Sequence, residues 1–226
     1  MKPASSKVIA EDAVDPTSSL PPLNWLIINI KGGVGKSSFA HALQLIEGSQ
    51  IVTNDLCGRP VSKRVIRLDP NQQSLNKVDL SAYSSVVFDL GASYGQFDPR
   101  IAQAVKQADV ILIPTGINTS EIQAAIATYR WLAQEEISMV LIYNRVTADD
   151  HKKRLDAAIQ QVQDAVGEHS YFVMGQTTLF RRLETDGATW SERVFNQHGL
   201  GRLRQPWKDL KEMFAKVAWA VRQGAI

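Results

Sequence analysis

The 226-residue sequence predicts an α/β protein: a three-layer sandwich with a mostly parallel central sheet flanked by helices. Three observations predict it. Short continuous apolar runs recur at 25–30, 86–90 and 109–115, the mark of parallel strands buried on both faces. Helical stripes alternate with those runs, which implies βαβ units. A glycine-rich turn, KGGVGKSS at 31–38, joins the first run to the first stripe. Hydrophobic residues make up 44% of the chain, enough for a substantial core.

The elements follow in order. Residues 1–23 are rich in Pro, Ser and Asp, lack any period and read as a flexible N-terminal tail ending at Pro21-Pro22. Residues 24–226 read as one domain closed by a C-terminal helix. WLIINI (25–30) is the first strand. Phe39, Ala42, Leu43 and Ile46 then share one helix face. IVTND (51–55) and VVFDL (86–90) are further strands. Ile101, Ala104, Val105 and Ala108 form a stripe before the strand DVILIPT (109–115). Ile122, Ala125, Ile126 and Tyr129 precede SMVLIYN (138–144). Leu155, Ala158, Ile159, Val162 and Val166 precede SYFVM (170–174). The last segment, 207–223, is amphipathic, with Trp207, Leu210, Met213, Phe214, Val217 and Val221 on one face. Such a stripe docks on its own core.

Composition narrows the chemistry. Cys57 is the single cysteine, so neither an intrachain disulfide nor a cysteine-held cluster within one chain fits. His41, His151, His169 and His198 lack metal-ligand spacing. No apolar run reaches the roughly 18–20 residues that span a bilayer, and the N-terminus has no signal-peptide core. A cytoplasmic protein is expected. The net charge of +2 neither demands nor excludes a polyanionic partner.

The glycine-rich turn carries the chemistry. A P-loop reads G-x-x-x-x-G-K-[ST] between a strand and a helix. Here the window is Ile30 to Ser37, with isoleucine in place of the first glycine. Gly32, Gly33 and Gly35 let the backbone turn its N–H groups toward phosphate oxygens, and the stretch Gly32–Gly33–Val34–Gly35–Lys36–Ser37–Ser38 is the expected ATP cradle. Lys36 is placed to meet the β/γ-phosphates. The Ser37 hydroxyl is placed to hold Mg²⁺.

The second lysine, Lys31, makes KGGVGKSS resemble the deviant Walker A motif of the ParA/MinD family of P-loop ATPases. That resemblance covers most of residues 24–200 and is strongest toward the small plasmid-type ParA proteins. It implies that Lys31 reaches across a dimer interface to the partner's nucleotide and acts as an arginine finger does. It implies that Asp55 orients the attacking water, although the family's Asp-x-Asp-Pro-Gln is replaced here by NDLCGRP. It places Asp89 as the Walker B carboxylate on the Mg²⁺ shell and Gly91 at the γ-phosphate switch. In YNRV (143–146) it assigns Asn144 to the adenine edge. In FRRLETDG (180–187) it assigns Arg181 and Arg182 to a dimer bridge or to DNA.

From Arg181 to Arg222, nine Lys/Arg stand against five Asp/Glu, a basic surplus suited to DNA phosphates. The leading expectation is an ATP-dependent dimerising ATPase switch. It would form a homodimer on ATP, bind non-specific DNA and partition or position plasmid cargo through a separate DNA-binding adaptor. Nucleoid association follows from that reading. A MinD-like membrane-associated positioning ATPase, using the terminal helix, is one alternative. An ATP-binding scaffold with little turnover is another, kept open by the altered segment after Asp55. A metabolic enzyme on the same P-loop is a third, without a substrate signature here.

Overall fold

The computed structural model describes residues 22–55, 65–69, 71, 74–91, 99–147, 149, 153–180 and 201–226. In chain order these hold β1 (Trp25–Ile27), α1 (Lys36–Glu47), β2 (Gln50–Thr53), β3 (Val65–Arg67), β4 (Val86–Asp89) and α2 (Pro99–Val105). They continue with β5 (Val110–Thr115), α3 (Thr119–Leu132), β6 (Ser138–Val146), α4 (Arg154–Val166), β7 (Ser170–Gly175) and α5 (Arg204–Arg222). Residues 1–21 of the segment 1–23 expected as a tail, and the pair Arg181 and Arg182, lie outside the described residues, whereas Leu23 is buried in the core and its carbonyl accepts from Ser85 Oγ at 2.6 Å.

The strands form one seven-stranded sheet in the order β3-β2-β4-β1-β5-β6-β7, every neighbouring pair parallel. Alternation along β1 builds both faces. Trp25 and Ile27 point to one side and join Phe39, Leu43, Trp207 and Phe214 beneath α1 and α5. Leu26 and Ile28 point to the other and join Phe88, Ile111, Ile122, Tyr143 and Val162 beneath α2, α3 and α4. These are the three layers.

α5 belongs to the first face. Leu210, Phe214 and Val217 are at most 1% exposed, and the Phe214 ring meets Trp25 edge-on at 5.7 Å. Its apolar stripe is therefore spent on the core, leaving Trp219 as its one large exposed apolar side chain among the described residues. No described helix is long and apolar enough to cross a membrane.

Two details depart from the sequence expectation. β3 was not foreseen, because half-buried Val65 and Ile66 show neither a long apolar run nor alternation. β1 ends at Ile27 rather than at residue 30, because the chain peels away from the sheet there. β1 lies between β4 and β5, so the chain leaves it toward one side and returns on the other. This switch point opens a crevice beyond the carboxyl ends of the strands, where ligands of such sheets sit.

Candidate functional site

The loop after β1 rises into that crevice. Gly33 and Gly35 have φ of 74° and 102°, the left-handed region open to glycine. Gly35 is the N-cap of α1, and its carbonyl accepts from Phe39 N at 3.1 Å. Gly35 also lets another strand approach: a Cβ there would stand 2.8 Å from Asn144 Nδ2. Val34 is fully buried and anchors the loop, whereas Gly32 and Gly33 are exposed at its crest. The start of α1 is thus a helix N-terminus with backbone N–H groups facing a cleft of about 800 Å³.

Lys31 sits on this loop and Lys36 opens α1 directly after it. Lys36 Nζ donates to the Lys31 carbonyl at 3.0 Å. Burial holds the Lys36 ammonium below its ordinary pKa, against the attraction of Asp89 and then Asp55. Lys31 is half-buried, and its backbone N–H donates to Asn29 Oδ1 at 2.8 Å.

The acidic wall comes from the ends of β2 and β4. Asp89 is 6% exposed, and burial pushes its pKa up to about 6, opposed by a hydrogen bond from Ser37 and the Lys36 charge. Asp55 is exposed at the cleft, just past β2. Asn54 and Gly91 join the two strand ends reciprocally: Gly91 N donates to Asn54 Oδ1 at 2.8 Å, and Asn54 Nδ2 to Gly91 O at 3.1 Å.

This donor set fits Mg²⁺ held with a phosphate. Ser37 and Asp89 present hard oxygen ligands already in contact, and no group of three or more His, Cys, Asp or Glu forms a metal cage among the described residues. Mg²⁺ takes one or two carboxylates and completes its shell with water and phosphate oxygens.

The opposite wall comes from β6 and the segment after β7. Asn144, 2% exposed, donates through Nδ2 to Val34 O at 3.3 Å and accepts through Oδ1 from Arg145 N at 2.8 Å. Arg145 has φ of 62°, unusual for a residue with a side chain, and its guanidinium pairs with Glu121 in the first turn of α3. Thr177 and Phe180 close this side, the Phe180 ring edge-on to Phe39 at 4.9 Å.

The fold thus brings Gly32, Gly33, Gly35, Lys36, Ser37, Ser38, Asp55, Asp89 and Asn144 to one cleft, with Lys31 and Val34 on the loop that forms it. Sequence reading gave no role to Asn54, Arg145, Glu121 or Thr177. Asn54 and Arg145 carried one signal, a polar residue closing an apolar strand run. Glu121 carried one too, three residues after the N-cap Asn118 in NTSE, where Asn118 Oδ1 accepts from Glu121 N at 3.0 Å, although its pairing with Arg145 is remote; Thr177, in a loop, carried none.

No protein-family model and no curated protein matches the sequence. Solved structures do match the fold. The septum site-determining protein MinD from Pyrococcus horikoshii, complexed with Mg-ADP, superposes with a TM-score of 0.58 at 15% identity, covering 88% of this chain and 98% of that one. The McdA–ATP complex from Cyanothece gives 0.54 at 14% identity, covering 85% and 96%. A ParA family ATPase from Chlorobium tepidum gives 0.54 at 14% identity, covering 85% and 98%. At this identity the likeness establishes the fold.

Proposed function

We propose that this chain, which has the fold of the ParA/MinD-family ATPases, is an ATPase switch that dimerises on ATP and partitions or positions DNA cargo. The observation that carries the reading is the convergence of Lys36, Ser37 and Asp89 at the α1 N-terminus, with Lys31 on the loop before it. The N–H groups of residues 32–38 and the Lys36 ammonium bind the β- and γ-phosphates. Ser37 and Asp89 would hold Mg²⁺, which supplies charge neutralisation between those phosphates.

Hydrolysis forms a bond from a water oxygen to the γ-phosphorus and breaks the bond to the β–γ bridging oxygen, which leaves on ADP. Asp55, exposed at the cleft beyond β2, orients that water. Lys31 of the partner subunit places positive charge where the transition state builds negative charge. Turnover then depends on dimerisation and is slow without a partner protein.

The matrix reading rests on α5. Its apolar stripe is committed to the core, and its outer surface carries exposed Arg204 and Lys208 and half-buried Lys211 and Lys216 against Asp209 and Glu212, with Glu212 paired to Lys208 at 3.4 Å, so the helix is basic by excess. That arrangement favours DNA phosphates over a bilayer, a cytoplasmic location on the nucleoid, and a separate adaptor for specific sites. Binding to non-specific duplex DNA, with ATP and with ADP across a salt series, tests it. ATP-selective binding that weakens steeply with salt is expected. No binding in either state, with binding to anionic liposomes, would favour the MinD-like reading instead. ATP binding without phosphate release, with or without DNA, would make the protein a scaffold.

A further inference from the structure

The way β1 ends is set by two side chains outside the phosphate loop. The parallel ladder from β1 to β5 runs in register, with Ile27 beside Leu112 and Ile28 N donating to Leu112 O at 3.0 Å. The next rung would be Ile30 N to Pro114 O. It is not made. Asn29 Nδ2 takes the Pro114 carbonyl at 2.9 Å, and Ile30 N donates instead to Thr128 Oγ1 at 3.2 Å. Thr128 is held in turn by its own bond to Ala124 O at 2.8 Å, one turn back along α3. Both side chains are fully buried. The other end of the Asn29 carboxamide accepts from Lys31 N at 2.8 Å.

Two buried side chains therefore turn the chain out of the sheet and hold the peptide groups on either side of Ile30, Thr128 the one before it and Asn29 the one that leads into Lys31. A buried amide or carbonyl left without a partner is costly, so each bond is needed once the rung is broken. The remaining backbone polar group of Lys31, its carbonyl, accepts from the Lys36 ammonium. A phosphate that draws Lys36 away leaves Asn29 and Thr128 as the groups fixing residues 30 and 31.

We infer that Asn29 and Thr128 are positioning residues that aim Lys31, so that α3 and β5 set the efficiency of its action across the dimer. The inference rests on the proposed trans role of Lys31. Both side chains are fully buried and neither lines the cleft, so the prediction is a loss in kcat with ATP affinity retained.

The test uses the full chain and compares Thr128→Val, Thr128→Ser, Asn29→Ala, Lys31→Ala and the Thr128→Val/Lys31→Ala double variant. Phosphate release at saturating Mg-ATP gives turnover, and titration with a fluorescent ATP analogue gives affinity. Thr128→Val keeps the shape and removes the acceptor. It is expected to lower turnover about tenfold or more while affinity changes less than about threefold. Thr128→Ser, which keeps the hydroxyl, restores turnover. In the Lys31→Ala background Thr128→Val causes no further loss, because it acts through the lysine already removed. Asn29→Ala follows the same pattern if it folds, and the threonine pair decides the matter if it does not. Turnover unchanged in Thr128→Val while Lys31→Ala abolishes it overturns the inference and leaves the trans lysine standing. Affinity falling in step with turnover also overturns it, since the residue then shapes the loop as a whole. Normal turnover in Lys31→Ala removes the trans lysine itself, and the inference with it.

Discussion

Gly35→Ala is the sharpest single test of the cleft geometry. Gly35 adopts φ 102° and ψ 16°, and a side chain in the left-handed region costs roughly 1–2 kcal/mol. The added methyl would also stand 2.8 Å from Asn144 Nδ2, too close for the amide to stay. Asn144 must then give up its 3.3 Å bond to the Val34 carbonyl, worth about 1 kcal/mol. Together these predict a loss of about 2–3 kcal/mol, or about 5–10 °C in Tm for a chain of this size. The same shift moves the N-cap of α1, so affinity for nucleotide should fall about tenfold or more. Gly32→Ala is the control, because nothing lies within 4 Å of its added carbon and its φ is not left-handed. It should melt with the wild type. Thermal melting and a fluorescent-nucleotide titration read both quantities. A Gly35→Ala protein melting within about 2 °C of wild type, or a Gly32→Ala protein losing as much, would refute the reasoning.

Four further outcomes are expected. Lys36→Ala should lose ATP binding, because the phosphates lose their buried charge partner; normal binding in a titration would end the phosphate-loop reading. Lys31→Ala should bind ATP normally and lose dimer-dependent phosphate release. Asp89→Asn should lose Mg²⁺-dependent turnover yet change the pH dependence of stability. The folded pKa of Asp89, about 6, exceeds the unfolded 3.8, so the native state binds the extra proton and wild-type stability falls as pH rises from about 4 to above 6. The difference in unfolding free energy between Asp89→Asn and wild type should therefore grow across that window and flatten above it, as urea titrations of nucleotide-free protein would show. Phe214→Ala should cost about 3–5 kcal/mol, since its ring fills the core beneath α5. A loss under about 1 kcal/mol in chemical denaturation would mean that α5 is not part of that core.

Much of the fold was legible because its signals are local. Continuous apolar runs announced every strand except β3, and helical spacing announced the helices between them. Val65 and Ile66 form a short edge strand that tertiary pairing with β2 creates, so no local pattern marks it. The apolar face of the terminal segment could be read from spacing, and its burial against Trp25 and Phe39 came from the packing.

The candidate site divides in the same way. KGGVGKSS by itself determined a glycine-rich turn at a helix N-terminus with two lysines, the pattern of an anion-binding loop, because glycine conformational freedom, a helix N-terminus and cationic side chains are properties of contiguous residues. The roles expected of Asp55, Asp89 and Asn144 came from the resemblance to the ParA/MinD family; the apolar runs before them marked only where strands end. What only the tertiary structure decided is which remote groups those residues meet. Asn54 with Gly91, Arg145 with Glu121, and Asn144 with Val34 join segments 24 to 110 positions apart. The raised pKa of Asp89 belongs to this class, since burial by the assembled sheet and helices produces it. So does the end of β1. Asn29 and Ile30 look like more strand in the sequence, and it takes Pro114 and Thr128, brought alongside by β5 and α3, to turn them out of the sheet.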